Sequence, residues 1–418
     1  MNGQRFAEAV ADRLADPAAV AAAWKGRWWP QSLAKGAAGI ALLHIELART
    51  GKRPWSRVQA WARAAASGGA DASETAHLHY GAPALAYMLR TAARAGAGAW
   101  CERALEPLEE AVERLTIARI AQANSRMDEQ RRPLLAEFDA IRGLAGSGSL
   151  LLSTGPEHPV LPGVLSCLVR LTEPRAGSED GVLGWWAPVG PDGAASPDFP
   201  GGHANTGMAH GITGPLALLA AAMLKGVTVE GQAAAIERIR TWLGRWRADG
   251  SCCPWWPYWI TSDQLSGDAP VQGPGRPSWC YGAAGVARAL HLAAIATGDT
   301  AARAQAETDL RHVLTCPCAL AMIPGASLCH GHAGLARIAS AAAADTPGIG
   351  FSAAADALLA RVTGPDGGEE EAAEKTLADE GIGLLDGAAG AALAVHSETA
   401  TDWGAFMLID RPRREPNR

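Results

Sequence analysis

Long apolar runs are missing from this sequence. No segment of the 418 residues reaches the roughly 18 consecutive apolar residues of a membrane span, and the first thirty residues contain no uninterrupted signal-peptide core. Positive charge is not in excess. Lys and Arg total 37 against 43 Asp and Glu, a net charge of -6, which argues against a nucleic-acid ligand because that needs a basic face. Cysteine is sparse. Eight thiols (Cys101, Cys167, Cys252, Cys253, Cys280, Cys316, Cys318 and Cys329) do not make the dense framework of a small secreted domain. They are expected to be reduced, either inert in a core or available to a metal, in a cytoplasmic protein. With 48% hydrophobic and 19% charged residues, the chain is able to bury a large core.

Glycine is plentiful, and it recurs in a pattern. "AKGAAGIALL", "LHYGAPALAYML", "AIRGLAGSGSLLL", "AHGITGPLALL", "CYGAAGVARAL", "CHGHAGLARI" and "LDGAAGAALAV" are seven copies of one motif, with first glycines at Gly36, Gly81, Gly143, Gly211, Gly282, Gly331 and Gly387. Six read G-x-x-G; the second carries Ala84 in place of its second glycine. Each runs into Ala, Leu, Ile and Val without strict alternation, as expected of a helix buried on most sides.

The first glycines are spaced 45 to 71 residues apart, which leaves room for a return helix and loops. "GQAAAIERIRTWLGRWRADG" and "TAARAQAETDLRHVLT" read as such amphipathic outer helices. One buried and one half-exposed helix per unit, repeated seven times, predicts an all-α fold, an α/α toroid of seven inner and about seven outer helices forming a single domain over residues 1–418. Long rim loops are expected around 174–204 and 251–278, and the acidic "TGPDGGEEEAAEK" is expected to be a solvated surface run.

If the copies are equivalent, the residues just before each first glycine share one rim. These are Lys35, Tyr80, Arg142, His210, Tyr281, His330 and Asp386, with Cys280 and Cys329 one place earlier. Two thiols and two imidazoles far apart in sequence are then expected around one opening. Cys280, Cys329 and His330 would form a Cys₂His set, which leaves the fourth position of a zinc ion to water or substrate. Taken singly, each cysteine is as readily a small buried hydrophobe. A substrate thiolate added to such a set gives a net negative centre, a poor Lewis acid that nevertheless holds sulfur deprotonated and nucleophilic. Thiol addition to an electrophile fits that chemistry better than hydrolysis.

"NTGMAHGITGPLALL", "SWCYGAAGVARAL" and "SLCHGHAGL" resemble the three signature motifs of the lanthipeptide (lantibiotic) cyclases, the LanC-like family, and the resemblance runs from the first motif copy to the C-terminal "WGAFMLI". It implies an α/α toroid with Zn2+ held by Cys280, Cys329 and His330. It also implies addition of peptide cysteine thiols to dehydroalanine or dehydrobutyrine, forming lanthionine or methyllanthionine rings. The family's catalytic positions fall on Asp139, His210, Arg276 and Tyr281. The implied partners are a dehydrated precursor peptide, a dehydratase and a transporter of the same pathway. The implied location is the cytoplasm, at most peripherally associated with a membrane-bound synthetase complex. No dehydratase region precedes the motifs, so the chain resembles the stand-alone cyclase of a class I system.

Several residues carry a second reading. Asp139 is also a candidate ion-pair partner of Arg276, and His203 and His332 read as structural. The aromatic loops with Trp185, Trp186, Trp255, Trp256 and Trp259 either line a peptide groove or staple long loops down. Cys316 and Cys318, a C-x-C beside Pro317, read as structural. A glutathione-binding or glutathione-transfer relative would keep the same metal set. A toroid glycosidase would need two carboxylates, with Asp139 and Asp386 as candidates, and leaves the thiols unexplained. A zinc dehydrogenase is disfavoured because the G-x-G-x-x-A at Gly348 follows Thr346-Pro347 rather than a strand.

Overall fold

The computed structural model describes residues 2–24, 27–174, 183–396 and 403–411; part of the loop expected around 174–204, residues 175–182, lies outside the described residues. The described chain is helical apart from two two-stranded ribbons. It divides into two compact units, Met1–Leu115 with Ile323–Gly404, and Thr116–Met322 with Ala405–Arg418. No described helix is long and apolar enough to cross a membrane.

Each motif copy leads into one buried helix: α1 Ala37–Arg49, α2 Ala82–Arg94, α3 Leu144–Thr154, α4 Thr213–Leu224, α5 Ala283–Thr297, α6 His332–Asp345 and α7 Ala388–His396. In the first unit α6 packs on α7, α7 on α1 and α1 on α2. In the second unit α3 packs on α4 and α4 on α5. The predicted outer helices are Gln232–Arg245, against α4, and Thr300–Thr315, against α5. Trp55–Ala65 covers α1, Leu161–Leu171 covers α3 and Phe351–Thr363 covers α6. The helix that covers α7 comes from the other end of the sequence: Asn2–Arg13 packs on it and on Glu369–Glu380. The acidic run is therefore not simply a solvated stretch, because it forms the start of helix Glu369–Glu380, with Glu369 buried at 3% exposure.

The recurring glycines have a steric cause. The segment before each inner helix folds back across the first helical turn, and a Cβ on the second glycine would overlap the carbonyl oxygen six residues earlier. The overlap would be 1.9 Å from Leu33 O at Gly39, 2.2 Å from Trp279 O at Gly285, 2.0 Å from Leu328 O at Gly334 and 1.8 Å from Leu384 O at Gly390. The same fold-back caps the helices without side chains. Gly146 N donates to Asp139 O at 3.2 Å, Gly285 N to Ser278 O at 3.2 Å and Gly334 N to Ser327 O at 3.3 Å, satisfying amides that a helix start leaves unpaired. In the second copy, which carries Ala84, the helix start is crossed by a segment from farther upstream, Ala82 N donating to Asp71 O at 2.7 Å.

The fold-back segments are also joined to one another. In the second unit Ala140 N donates to Ala209 O (3.0 Å) and Ala209 N to Cys280 O (3.2 Å). In the first unit Cys329 N donates to Leu385 O (2.9 Å), Leu384 N to Ala34 O (2.9 Å) and Leu33 N to His79 O (3.0 Å). Within each unit the turns that carry the candidate residues form a continuous backbone-bonded edge. Their side chains are thereby fixed in relative height.

Candidate active site

In the second unit this edge holds Asp139, His210, Cys280 and Tyr281. Asp139 follows the short helix Leu135–Phe138 and is 1% exposed. Its Oδ1 accepts the amides of Ile141 (3.1 Å), Arg142 (2.6 Å) and Gly143 (2.8 Å), so the carboxylate organises the turn into α3. Its Oδ2 lies 2.7 Å from His210 Nδ1. Such a contact makes Nδ1–H the donor and leaves the Nε2 lone pair facing outward on a side chain that is 35% exposed. Asp139 pairs with His210 through this hydrogen bond and, among the described residues, makes no ion pair with Arg276 as the alternative reading expected. A carboxylate so enclosed by donors has no face to offer a glycosidic bond.

Tyr281 lies beside His210, with ring centroids 6.3 Å apart, and its hydroxyl accepts a hydrogen bond from Asn205 Nδ2 at 3.1 Å. Asn205 belongs to β1 (His203–Asn205), which pairs antiparallel with β4 (Trp259–Thr261) and is one of the two ribbons. Tyr258 and Trp259 complete an aromatic shelf, with centroids 5.2 and 6.3 Å from Tyr281. Burial pushes the Tyr258 phenol up, and the Arg276 guanidinium works against that. Tyr258 donates its hydroxyl hydrogen to the Arg276 carbonyl at 3.0 Å, while the buried Arg276 Nε has no hydrogen-bond partner among the described residues. Cys280 is 5% exposed, with Sγ 3.5 Å from the Ser278 hydroxyl. Behind Asp139, burial lowers the Arg119 guanidinium and the Asp139 charge opposes the shift. Asn205, Tyr258, Ser278 and Arg119 were not singled out from the sequence. Asn205 opens the motif "NTGMAHGITGPLALL" and Tyr258 lies in the loop expected around 251–278, but neither was assigned a role from the sequence.

In the first unit the edge holds Cys329, His330 and Asp386. His330 Nδ1 is 3.3 Å from Asp386 Oδ1, an oxygen shut off from solvent that accepts no hydrogen bond among the described residues. A carboxylate oxygen so placed can accept the Nδ1–H of an imidazole whose other nitrogen binds a metal. With sulfur at Cys280 and Cys329 and nitrogen at His330, the donor chemistry fits zinc. A cleft of about 320 Å³ opens beside Asp386, walled by Trp24, Arg27, Trp29, Lys35 and Glu380.

Other residues hold the framework. Trp185, Trp186 and Trp256 are buried, and the last two donate their indole N–H to Gly201 O and Leu243 O at 2.9 Å, so these three staple loops. His203 Nδ1 contacts Val189 O at 2.8 Å and His332 Nδ1 contacts Gly325 O at 2.9 Å; burial lowers both imidazoles.

Three comparisons bear on this arrangement. Residues 27–408 match the model of the family described as lanthionine synthetase C-like protein. The nisin biosynthesis protein NisC of Lactococcus lactis subsp. lactis is 24% identical over 212 residues, a segment that spans 49% of each chain. The solved structure of a nisin cyclase superposes with a TM-score of 0.76 at 20% identity, covering 96% of this chain and 98% of that one. That likeness shows the fold, which is all-α and of the α/α-toroid class that the seven motif copies predicted.

Proposed function

Because the chain belongs to the lanthionine synthetase C-like family, we propose that it is a lanthipeptide cyclase, acting as one domain on a dehydrated precursor peptide made by a dehydratase of the same pathway and exported by its transporter. In this reading Cys280, Cys329 and His330 hold a zinc ion, which when bound keeps a peptide cysteine deprotonated and nucleophilic. The observation that carries the proposal is the Asp139–His210 pair on a turn hydrogen-bonded directly to that of Cys280.

The reaction joins the peptide sulfur to the β-carbon of dehydroalanine or dehydrobutyrine and moves the thiol proton to the α-carbon. His210 Nε2 takes the thiol proton or returns one to the α-carbon, and Asp139 fixes the ring so that this nitrogen faces the reacting atoms. Arg276 offsets the charge that grows on the enolate oxygen, and Tyr281 is the second proton donor within reach. The aromatic shelf of Tyr258 and Trp259 excludes water from that step. Cytoplasmic residence follows from the same reading, since the precursor is modified before export.

The test is incubation of the cognate dehydrated precursor with the protein. Alkylatable peptide thiols should disappear while peptide mass stays constant, because ring closure is an isomerisation. Thiols that persist while the peptide gains the mass of added glutathione would indicate glutathione transfer instead.

A further inference from the structure

A second group of thiols lies away from the candidate active site, wholly inside the second unit. Cys252 and Cys253 form the turn between β2 (Ala248–Asp249) and β3 (Pro254–Trp255), the other ribbon. Cys316 caps the short helix Pro317–Ala321, and Cys318 lies within it. Though 66 residues apart in sequence, Cys252 Sγ and Cys318 Sγ are 2.7 Å apart. Cys252, Cys316 and Cys318 have sulfur atoms all within 4.8 Å of one another. Cys253 lies within interaction range of Cys316. The remaining thiols outside the active-site edge, Cys101 and Cys167, are isolated in the core, where burial pushes each up to about 12. Three of the eight cysteines thus converge on one spot where two segments meet, and Cys253 follows Cys252 in the same turn.

The scaffold presents them in advance. Arg247, just before β2, sends Nε and one terminal nitrogen to the two carboxylate oxygens of Asp309 in the helix Thr300–Thr315, both at 2.8 Å. Gly250 N donates to Cys253 O at 3.2 Å and closes the turn. Cys316 N donates to His312 O at 2.9 Å, holding the start of the short helix to the end of the longer one. The bidentate pair brings the ribbon onto the helix, and the sulfurs meet beyond it.

We propose that Cys252, Cys316 and Cys318, with Cys253 as fourth donor, hold a structural zinc ion that ties the β2–β3 turn to the junction of Thr300–Thr315 and Pro317–Ala321. Tetrahedral thiolate zinc, with bonds of about 2.3 Å, places its sulfurs roughly 3.8 Å apart; the three sulfurs lie within 4.8 Å of one another, and the Cys252–Cys318 pair, at 2.7 Å, has to part by about an ångström to receive the ion. All-sulfur donors select a thiophilic ion over magnesium or calcium. Binding replaces the sulfur-bound protons by the cation, releasing those protons to solvent, with no change of oxidation state. A disulfide would use two of these sulfurs and leave the convergence of the third unexplained.

Elemental analysis of three proteins tests the inference independently of the cyclase reading. The Cys280→Ala/Cys329→Ala protein should retain one equivalent of zinc, with an X-ray absorption shell of sulfur alone at about 2.3 Å. Adding Cys252→Ser/Cys318→Ser, at two exposed positions, should remove that zinc and make Cys253 and Cys316 alkylatable without denaturant. Two results overturn the proposal: a Cys280→Ala/Cys329→Ala protein without zinc whose four thiols alkylate at once, or a Cys252–Cys318 disulfide in the protein as purified. Failure of the cyclase reading looks different, as equal zinc content in the parent and the Cys280→Ala/Cys329→Ala protein.

Discussion

Asp139 Oδ2 and His210 Nδ1 are 2.7 Å apart across 71 residues of sequence, and the same carboxylate gathers three backbone amides of its own turn. One buried group thus both builds the start of α3 and orients the imidazole of the next motif copy. His210→Ala should keep its zinc and bind dehydrated precursor while ring closure slows at least tenfold, within the about 10²- to 10⁴-fold range of positioned proton transfer. Asp139→Asn retains the size of the side chain but lets its amide nitrogen face Nδ1, favouring the tautomer that puts the proton on Nε2; it should lower the rate with little change in apparent precursor affinity. Thiol counts over time, paired with zinc content, check both variants.

Metal content checks the rim set. Cys280→Ala and Cys329→Ala should each hold one zinc fewer per chain than the parent, because two remaining protein donors are too few to retain the ion. Parental zinc in both variants, by elemental analysis, would remove these residues from the ligand set.

The glycine motif makes a stability prediction. Gly334→Ala drives a methyl into the Leu328 carbonyl, which is backbone and cannot rotate away, so the cost should exceed about 2 kcal/mol. The position of Ala84 is the natural control: Ala84→Gly should change stability by no more than about 1 kcal/mol, the ordinary price of glycine in a helix. Denaturant unfolding of the two variants against the parent measures both.

Acid sensitivity should trace partly to His44 in α1. Burial lowers this imidazole from 6.5 to about 4, while its Nε2 contacts Leu14 O at 2.8 Å and its ring stacks on Trp61. Between those two values the unfolded chain binds a proton that the folded chain refuses. The contribution is therefore complete above about pH 6.5 and is lost as pH falls toward about 4, with an upper bound of roughly 3 kcal/mol. In His44→Phe, stability measured by denaturant unfolding from pH 7 to pH 4.5 should fall less steeply than in the parent.

Much of this arrangement was legible because one steric requirement recurs. Wherever the chain must fold back over a helix start, Gly39, Gly285, Gly334 and Gly390 have to lack a Cβ, so the seven helix starts could be read from glycine alone. The partner of α7 could not, because Asn2–Arg13 precedes the first motif copy and carries no copy of its own. Long-range pairing was also hidden. Asp139 and Arg276 are complementary in charge, but the fold-back turn points the carboxylate at its own amides and at His210. Asn205 and Tyr258 were given no role because each acts through a single hydrogen bond, to Tyr281 and to the Arg276 carbonyl, which a sequence does not reveal even at Asn205, the first residue of a signature motif.

The most direct measurement is the rate at which peptide thiols become resistant to alkylation when the cognate dehydrated precursor is mixed with the parent protein or with Cys329→Ala. The parent should close rings at constant peptide mass, and Cys329→Ala should leave the thiols alkylatable at the rate seen without protein. Ring closure by Cys329→Ala at the parental rate would contradict a reaction carried out at the thiol-bearing edge.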